Sequence, residues 1–152
     1  MGAAKNMSKK VLKLDFTNDF DFPLIGIICG YKDFRLVFDL NYHLGFDFKR
    51  GNDVVVPAGK PGSSTRHSYY KHLGSDDEVY HIISNRDKDL TGYFIPEQKN
   101  IDYYFLVSQT NGRLDEKVLV KTIRQIDIIA GTYEIDPNEL KSAEAFLIFM
   151  EA

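Results

Sequence analysis

The sequence predicts one α+β domain: an antiparallel-rich mixed sheet of five to six strands with about three helices packed mainly on one face. Three features predict it. Stretches with strand periodicity outnumber those with helical periodicity, turn-forming clusters join neighbouring strands, and the order reads ββα, βββ, αβα rather than a strict alternation. A length of 152 residues suits a single domain with one substantial core.

Residues 9–16 alternate, with Leu12, Leu14 and Phe16 on one side and Lys13 and Asp15 on the other, as in a half-exposed strand. After the turn Thr17-Asn18-Asp19, residues 22–30 are almost continuously apolar. This suits a central strand covered on both faces, with Gly26 and Gly30 allowing close backbone approach. Over residues 33–45 the period changes. Phe34, Val37, Phe38, Leu40 and Leu44 gather on the expected core side of a helix, opposite Arg35, Asp39 and His43, and Gly45 ends it.

Residues 49–66 hold Gly51, Pro57, Gly59, Pro61, Gly62 and Ser63-Ser64-Thr65, and are expected to form one long flexible loop within the domain. Strands near 67–73 and 78–85 follow, joined by Gly74-Ser75-Asp76-Asp77, and another at about 102–109 ends at Asn111-Gly112. Asp115 caps a helix at 116–125, and a strand occupies 127–135. Asp136-Pro137-Asn138-Glu139 then opens a last helix through about 148, with residues 146–150 open to helix or strand. The domain is placed at 9–148, and residues 1–8 read as a leader or tag.

With 19 Lys and Arg against 22 Asp and Glu the formal charge is −3, and the 43% of hydrophobic residues excludes a disordered chain. No apolar run reaches the ~20 residues that a membrane helix needs, so no membrane association is expected. The single cysteine, Cys29, lies in an apolar run; it reads as a core residue and makes a reducing cytoplasm the expected location.

Several chemistries have no pattern in the chain. His43, His67, His72 and His81 lack metal-ligand spacing, so neither metal nor cofactor is expected. Lys60 between Gly59 and Gly62 fails the phosphate-loop pattern, because Val54 stands at the first Gly position and Pro61 at the Ser/Thr position. No nucleophile elbow or dinucleotide fingerprint is present.

A few polar residues stand out. Asn41 falls within the apolar arc of the first helix and reads as a latch to a neighbouring strand. Arg35, Asp39 and His43 form an i,i+4 ladder. Glu97 and Asp102 flank the start of a strand, where they either cap backbone N–H groups or act as an acid–base pair. Lys49, Arg50, Arg66 and Lys71, with Tyr69 among them, combine cations and rings as single-strand binders do.

Ile95-Pro96-Glu97 followed by Ile101-Asp102-Tyr103 resembles the signature of the bacterial IPExxVDY family. Ile101 stands for Val, and three residues rather than two separate Glu97 from Ile101. Leu24-Ile25-Gly26-Ile27 and Asp33-Phe34-Arg35-Leu36, leading to Asn41 and Leu44, are similar to further stretches of that family. The resemblance implies a small cytoplasmic protein without an assigned activity.

The expected function is a non-catalytic interaction or regulatory module with a protein partner. Arg35, Asn41, Glu97, Asp102 and Tyr103 are its candidate binding residues, and the apolar Phe146-Leu147-Ile148-Phe149-Met150 is a candidate docking segment. The alternative is an RNA-binding accessory using residues 49–72, and an enzyme built on Glu97 and Asp102 ranks behind both.

Overall fold

The computed structural model describes residues 20–110 and 114–150. The leader at 1–8, the strand at 9–16, the turn at Thr17-Asn18-Asp19 and the turn at Asn111-Gly112 lie outside the described residues. Within them the fold is α+β, as expected. The strands are β1 (Leu24–Ile28), β2 (Lys49–Arg50), β3 (Val54–Pro57), β4 (Ser64–His67), β5 (Tyr69–Leu73), β6 (Val79–Ser84), β7 (Tyr103–Ser108) and β8 (Gly131–Glu134). The α-helices are α1 (Asp33–Leu44) and α2 (Glu116–Arg124). Six strands form one sheet in the order β2-β5-β6-β7-β1-β8, and β3 pairs with β4 in a second sheet. Every pairing is antiparallel.

β1 and β7 lie inside the sheet, and alternate residues feed two cores. Ile25, Ile27, Phe105 and Val107 face α1 and α2, packing on Leu36, Leu40, Leu119 and Ile123. Leu24, Tyr104 and Leu106 face the other way, toward Phe22, Ile83, Ile95, Phe146 and Phe149. A strand covered on both faces has no polar side to show, hence the unbroken apolar run at 24–28. At Gly26 an added Cβ would lie 2.7 Å from Ile135 Cδ1 and 2.9 Å from Ile101 Cδ1. Gly30 differs from the expectation, since open space surrounds it.

α1 forms where its period places it and ends at Gly45, whose φ of 68° is the left-handed conformation that glycine adopts without steric cost. The Asn41 latch is present: its Oδ1 accepts the Phe48 N–H at 2.8 Å, tying α1 to the start of β2. The expected core face requires correction. Leu36, Val37 and Leu40 are buried, whereas Phe34 and Phe38 point into solvent. α2 matches the expectation, with Asp115 accepting the N–H groups of Lys117 and Val118.

Three other elements depart from the expectation. Residues 49–66 contain β2, β3 and part of β4 instead of one long loop. Thr65 and His67 are buried while Ser64 and Arg66 are exposed, a period-2 alternation hidden among the Pro and Gly residues. β8 is shorter than 127–135, because hydrogen-bonded turns from α2 occupy residues 125–129. The last helix is replaced by two 3-10 segments, Pro137–Glu139 and Ala143–Phe149, with Leu140 extended between them. A 3-10 helix aligns every third residue, and Ala143, Phe146 and Phe149 are the three that bury. The second segment covers the sheet face opposite the α-helices. Phe146 and Phe149 are therefore core residues, and residues 146–150 do not form a free docking segment, although Leu147 and Ile148 remain exposed.

Two buried histidines are satisfied as neutral rings. His81 bonds the Tyr69 hydroxyl at 2.7 Å and Ser108 Oγ at 2.8 Å. His67 bonds Thr65 Oγ1 at 2.8 Å and the Ser84 carbonyl at 2.9 Å. Burial pulls His81 down to about 4 and lowers His67 as well. Below the ordinary histidine range the unfolded chain takes up these protons first, so stability is complete above it and declines as pH falls toward 4. His81 alone is expected to remove about 2 kcal/mol of unfolding free energy between roughly pH 7 and pH 5, measurable by urea denaturation. A free energy unchanged across that interval would show that the rings are already charged or exposed.

Candidate functional site

The connection between β6 and β7 carries the most distinctive stretch of the sequence, and Asn85 organises it. Asn85 is wholly buried. Its Nδ2 donates to the carbonyls of Gln98 and Ile101, both at 2.8 Å, and its Oδ1 accepts the Ile95 N–H at 2.8 Å. The Asn85 N–H donates to the Asp102 carbonyl at 2.9 Å, which closes the loop on itself. Its surroundings in sequence are unremarkable, so nothing in the spacing marks Asn85; only the folded loop shows that its backbone groups need an amide.

Asp102 and Tyr103 hold the connection from β1 to α1. The Asp102 N–H donates to the Ile27 carbonyl, and Asp102 Oδ2 accepts the Cys29 N–H at 2.8 Å. The Tyr103 hydroxyl donates to the Tyr31 carbonyl at 2.7 Å, and burial pushes this phenol well above its ordinary value. Burial likewise pushes the Cys29 thiol up, away from the thiolate form. Glu97 acts elsewhere: its two oxygens accept the Ser142 N–H at 2.7 Å and the Ser142 hydroxyl at 2.8 Å, at the start of the second 3-10 segment. Burial raises the Glu97 carboxyl, but the Ser142 donors outweigh it and leave it below the ordinary range.

Two open clefts flank this framework. One, of about 480 Å³, lies beside the first turn of α1 and is lined by Cys29, Lys32, Ser84, Arg86, Lys88 and Asp102. The other, of about 780 Å³, lies between the β3–β4 hairpin and the second 3-10 segment and is lined by Val56, Tyr93, Phe94, Pro96 and Ile148 among others. Asp102 lines the first, and Glu97 lines neither. The carboxylates at the first cleft are engaged internally. Asp87 accepts the Arg66 N–H and the Thr91 hydroxyl, and Asp33 accepts the Tyr70 hydroxyl at 3.2 Å. Among the described residues no three His, Cys, Asp or Glu side chains are grouped to hold a metal ion, and no helix is long and apolar enough to cross a membrane.

The other candidates separate in the same way. Arg35 pairs with Asp39 at 3.4 Å and sits 5.5 Å from the Tyr31 ring. Asn41 is the latch already described. Arg50 and Arg66 of the basic segment, together with Lys88 from outside it, surround a single carboxylate, Asp53. The Arg50 hydrogen bond, against an opposing effect of burial and with help from Lys88, holds Asp53 below its ordinary value. Lys49 and Lys71 are exposed, whereas the Tyr69 ring stacks on Phe149 and is turned inward.

The surface feature that sequence reasoning missed lies on α1. Phe34, Phe38 and Tyr42 are 65%, 67% and 78% exposed, a row of rings along one side of the helix, and Tyr31, 51% exposed, lies just before its first turn. The signal was present as two apolar stripes: the aliphatic one, Leu36, Val37 and Leu40, faces the core, and the aromatic one faces water. Compared with known proteins, the chain matches no family model, no curated protein and no solved structure.

Replacing Asn85 with Ala leaves buried backbone groups of Ile95, Gln98 and Ile101 without partners and is expected to cost about 3 kcal/mol or more of stability. Glu97→Ala removes a surface tie and is expected to cost about 1 kcal/mol. Urea denaturation of both variants checks the order, and an Asn85→Ala protein as stable as the parent would contradict it.

Proposed function

We propose that the protein is a non-catalytic interaction module that binds a protein partner through the aromatic stripe of α1. The exposure of Phe34, Phe38 and Tyr42, with Tyr31 exposed just before the helix, carries this reading. A soluble monomer scatters its exposed apolar side chains, and a contiguous apolar patch marks a contact surface, for which aromatic residues are the preferred material. The candidate binding residues support it from the other side. Asn41, Glu97, Asp102 and Tyr103 satisfy backbone or side-chain groups of the chain itself, and Glu97 and Asp102 share no cleft. A cytoplasmic setting belongs to the same proposal and rests on the single cysteine. Membership of the IPExxVDY family belongs to it too, resting on Ile95-Pro96-Glu97 and Ile101-Asp102-Tyr103.

The test is a photo-crosslinking phenylalanine analogue placed at Phe38 and, as a control, at Leu73, which is also exposed but lies on β5. Irradiation of cells expressing each variant is expected to give a discrete polypeptide adduct from Phe38 and none from Leu73. Absence of any adduct from Phe38, with the protein folded and abundant, would refute α1 as the contact face.

A further inference from the structure

We infer that the cleft between the β3–β4 hairpin and the second 3-10 segment is the seat of residues 12–16 of this same chain, which cross it as an extended strap. This is independent of the reading of α1. The tether comes first. Asn138 clasps Phe20: its Oδ1 accepts the Phe20 N–H and its Nδ2 donates to the Phe20 carbonyl, both at 2.8 Å. The Phe20 and Phe22 rings meet edge to face, and Phe22 lies 5.8 Å from Phe146. The chain therefore enters the described fold beside Asn138. Lys141 and Ser142, three and four residues further on, line the cleft. Three residues span at most about 11 Å, and the four from Phe20 back to Phe16 reach about 14 Å. Phe16 is thus within reach of the Lys141 end of the cleft.

The length and the apolar lining match the segment. The seven residues of Ala143–Phe149 rise about 14 Å as a 3-10 helix, and five extended residues span about 16 Å. Val55 is 57% and Ile148 50% exposed, and Val56, Phe94, Pro96 and Ala145 continue the apolar lining of a cleft of about 780 Å³. Leu12, Leu14 and Phe16 stand at alternate positions, so an extended segment turns all three to one side, toward that lining.

The charges agree with the direction that the tether sets. With Phe16 at the Lys141 end, Asp15 comes opposite Lys141 and Lys13 opposite Glu144, unlike charges at both places. Lys141 and Glu144 are exposed and have no ion-pair partner among the described residues. Lys99, the other charged residue lining the cleft, follows the Glu97 that holds Ser142 and adds a second cation at the Asp15 end. Reversing the segment would carry Phe20 to the Ile148 end, away from Asn138.

The experiment treats the full chain with a water-soluble carbodiimide, which joins an amine to a carboxylate where the two touch, and maps the linked peptides by mass spectrometry. Lys88 and Asp53, 3.2 Å apart, supply the internal standard. Lys13–Glu144 and Asp15–Lys141 linkages are expected within the monomer, at a yield independent of dilution. Leu14→Ser is expected to lower both about tenfold or more, because it removes a buried leucine from the strap. An unchanged Lys88–Asp53 linkage shows that this variant is folded. Formation of the Lys88–Asp53 linkage without either of the others overturns the inference. So does their confinement to a covalent dimer, which would make the occupant a second copy of the chain. Wild-type yields in Leu14→Ser overturn it too, since the apolar side would then not hold the segment.

Discussion

Covering β7 on both faces is the constraint from which the rest of this structure follows. All six residues of Tyr103–Ser108 are buried, and the strand lies between β6 and β1. Each wholly buried Leu, Ile or Phe contributes roughly 1.5–3 kcal/mol, so Phe105, Leu106 and their neighbours Ile25, Ile27 and Ile83 outweigh any single polar contact. Neither cover alone suffices. α1 and α2 seal one face, and the other is sealed by Ile95, Ile101 and the rings of Phe146 and Phe149. The connection before β7 must therefore pass through the second core instead of over the surface, carrying backbone polar groups with it.

That passage explains where the polar side chains went. A buried N–H or carbonyl without a partner costs about 1–3 kcal/mol, and residues 94–102 bring several inside. Asn85 serves three of them, Asp102 fixes the turn from β1 into α1, and Glu97 fastens the second 3-10 segment that completes the cover. Side chains engaged in this way are poor candidates for acting on a bound molecule, because freeing them leaves the framework short of partners. α1 has the opposite character. Its aliphatic stripe meets the core's demand, so its aromatic stripe is surplus to folding and available for contact.

How much of this was legible in the sequence depends on whether the signal was local. The Ile-rich run at 24–28, the capping Asp115 and the terminating Gly45 each state their role within a few residues, and each is found as read. Asn41 was legible because an amide in an apolar arc has few uses other than a latch. The ring positions on α1 were not, because hydrophobicity alone does not say which of two apolar stripes faces inward; the sheet decides, and it selects the smaller aliphatic side chains that fit closely against β1 and β7. The strands β3 and β4 were obscured by Pro57, Gly59, Pro61 and Gly62, which punctuate the hairpin while the Thr65–His67 alternation persists beneath. At the C-terminus the capping signal of Asp136 is real, but it starts only a short 3-10 turn. The spacing of Ala143, Phe146 and Phe149 against the sheet then favours a three-residue period over the α-helical one.

The central claim is that folding uses the polar groups inwardly and leaves the α1 rings as the outward chemistry. Fluorine NMR of the chain labelled at all 11 phenylalanines tests it most directly, because each ring reports its own surroundings. On exchange of H2O for D2O the resonances of Phe34 and Phe38 are predicted to shift while those of Phe48, Phe105 and Phe146 stay fixed. A spectrum in which Phe34 and Phe38 do not respond, or in which the buried rings respond in their place, would contradict the account.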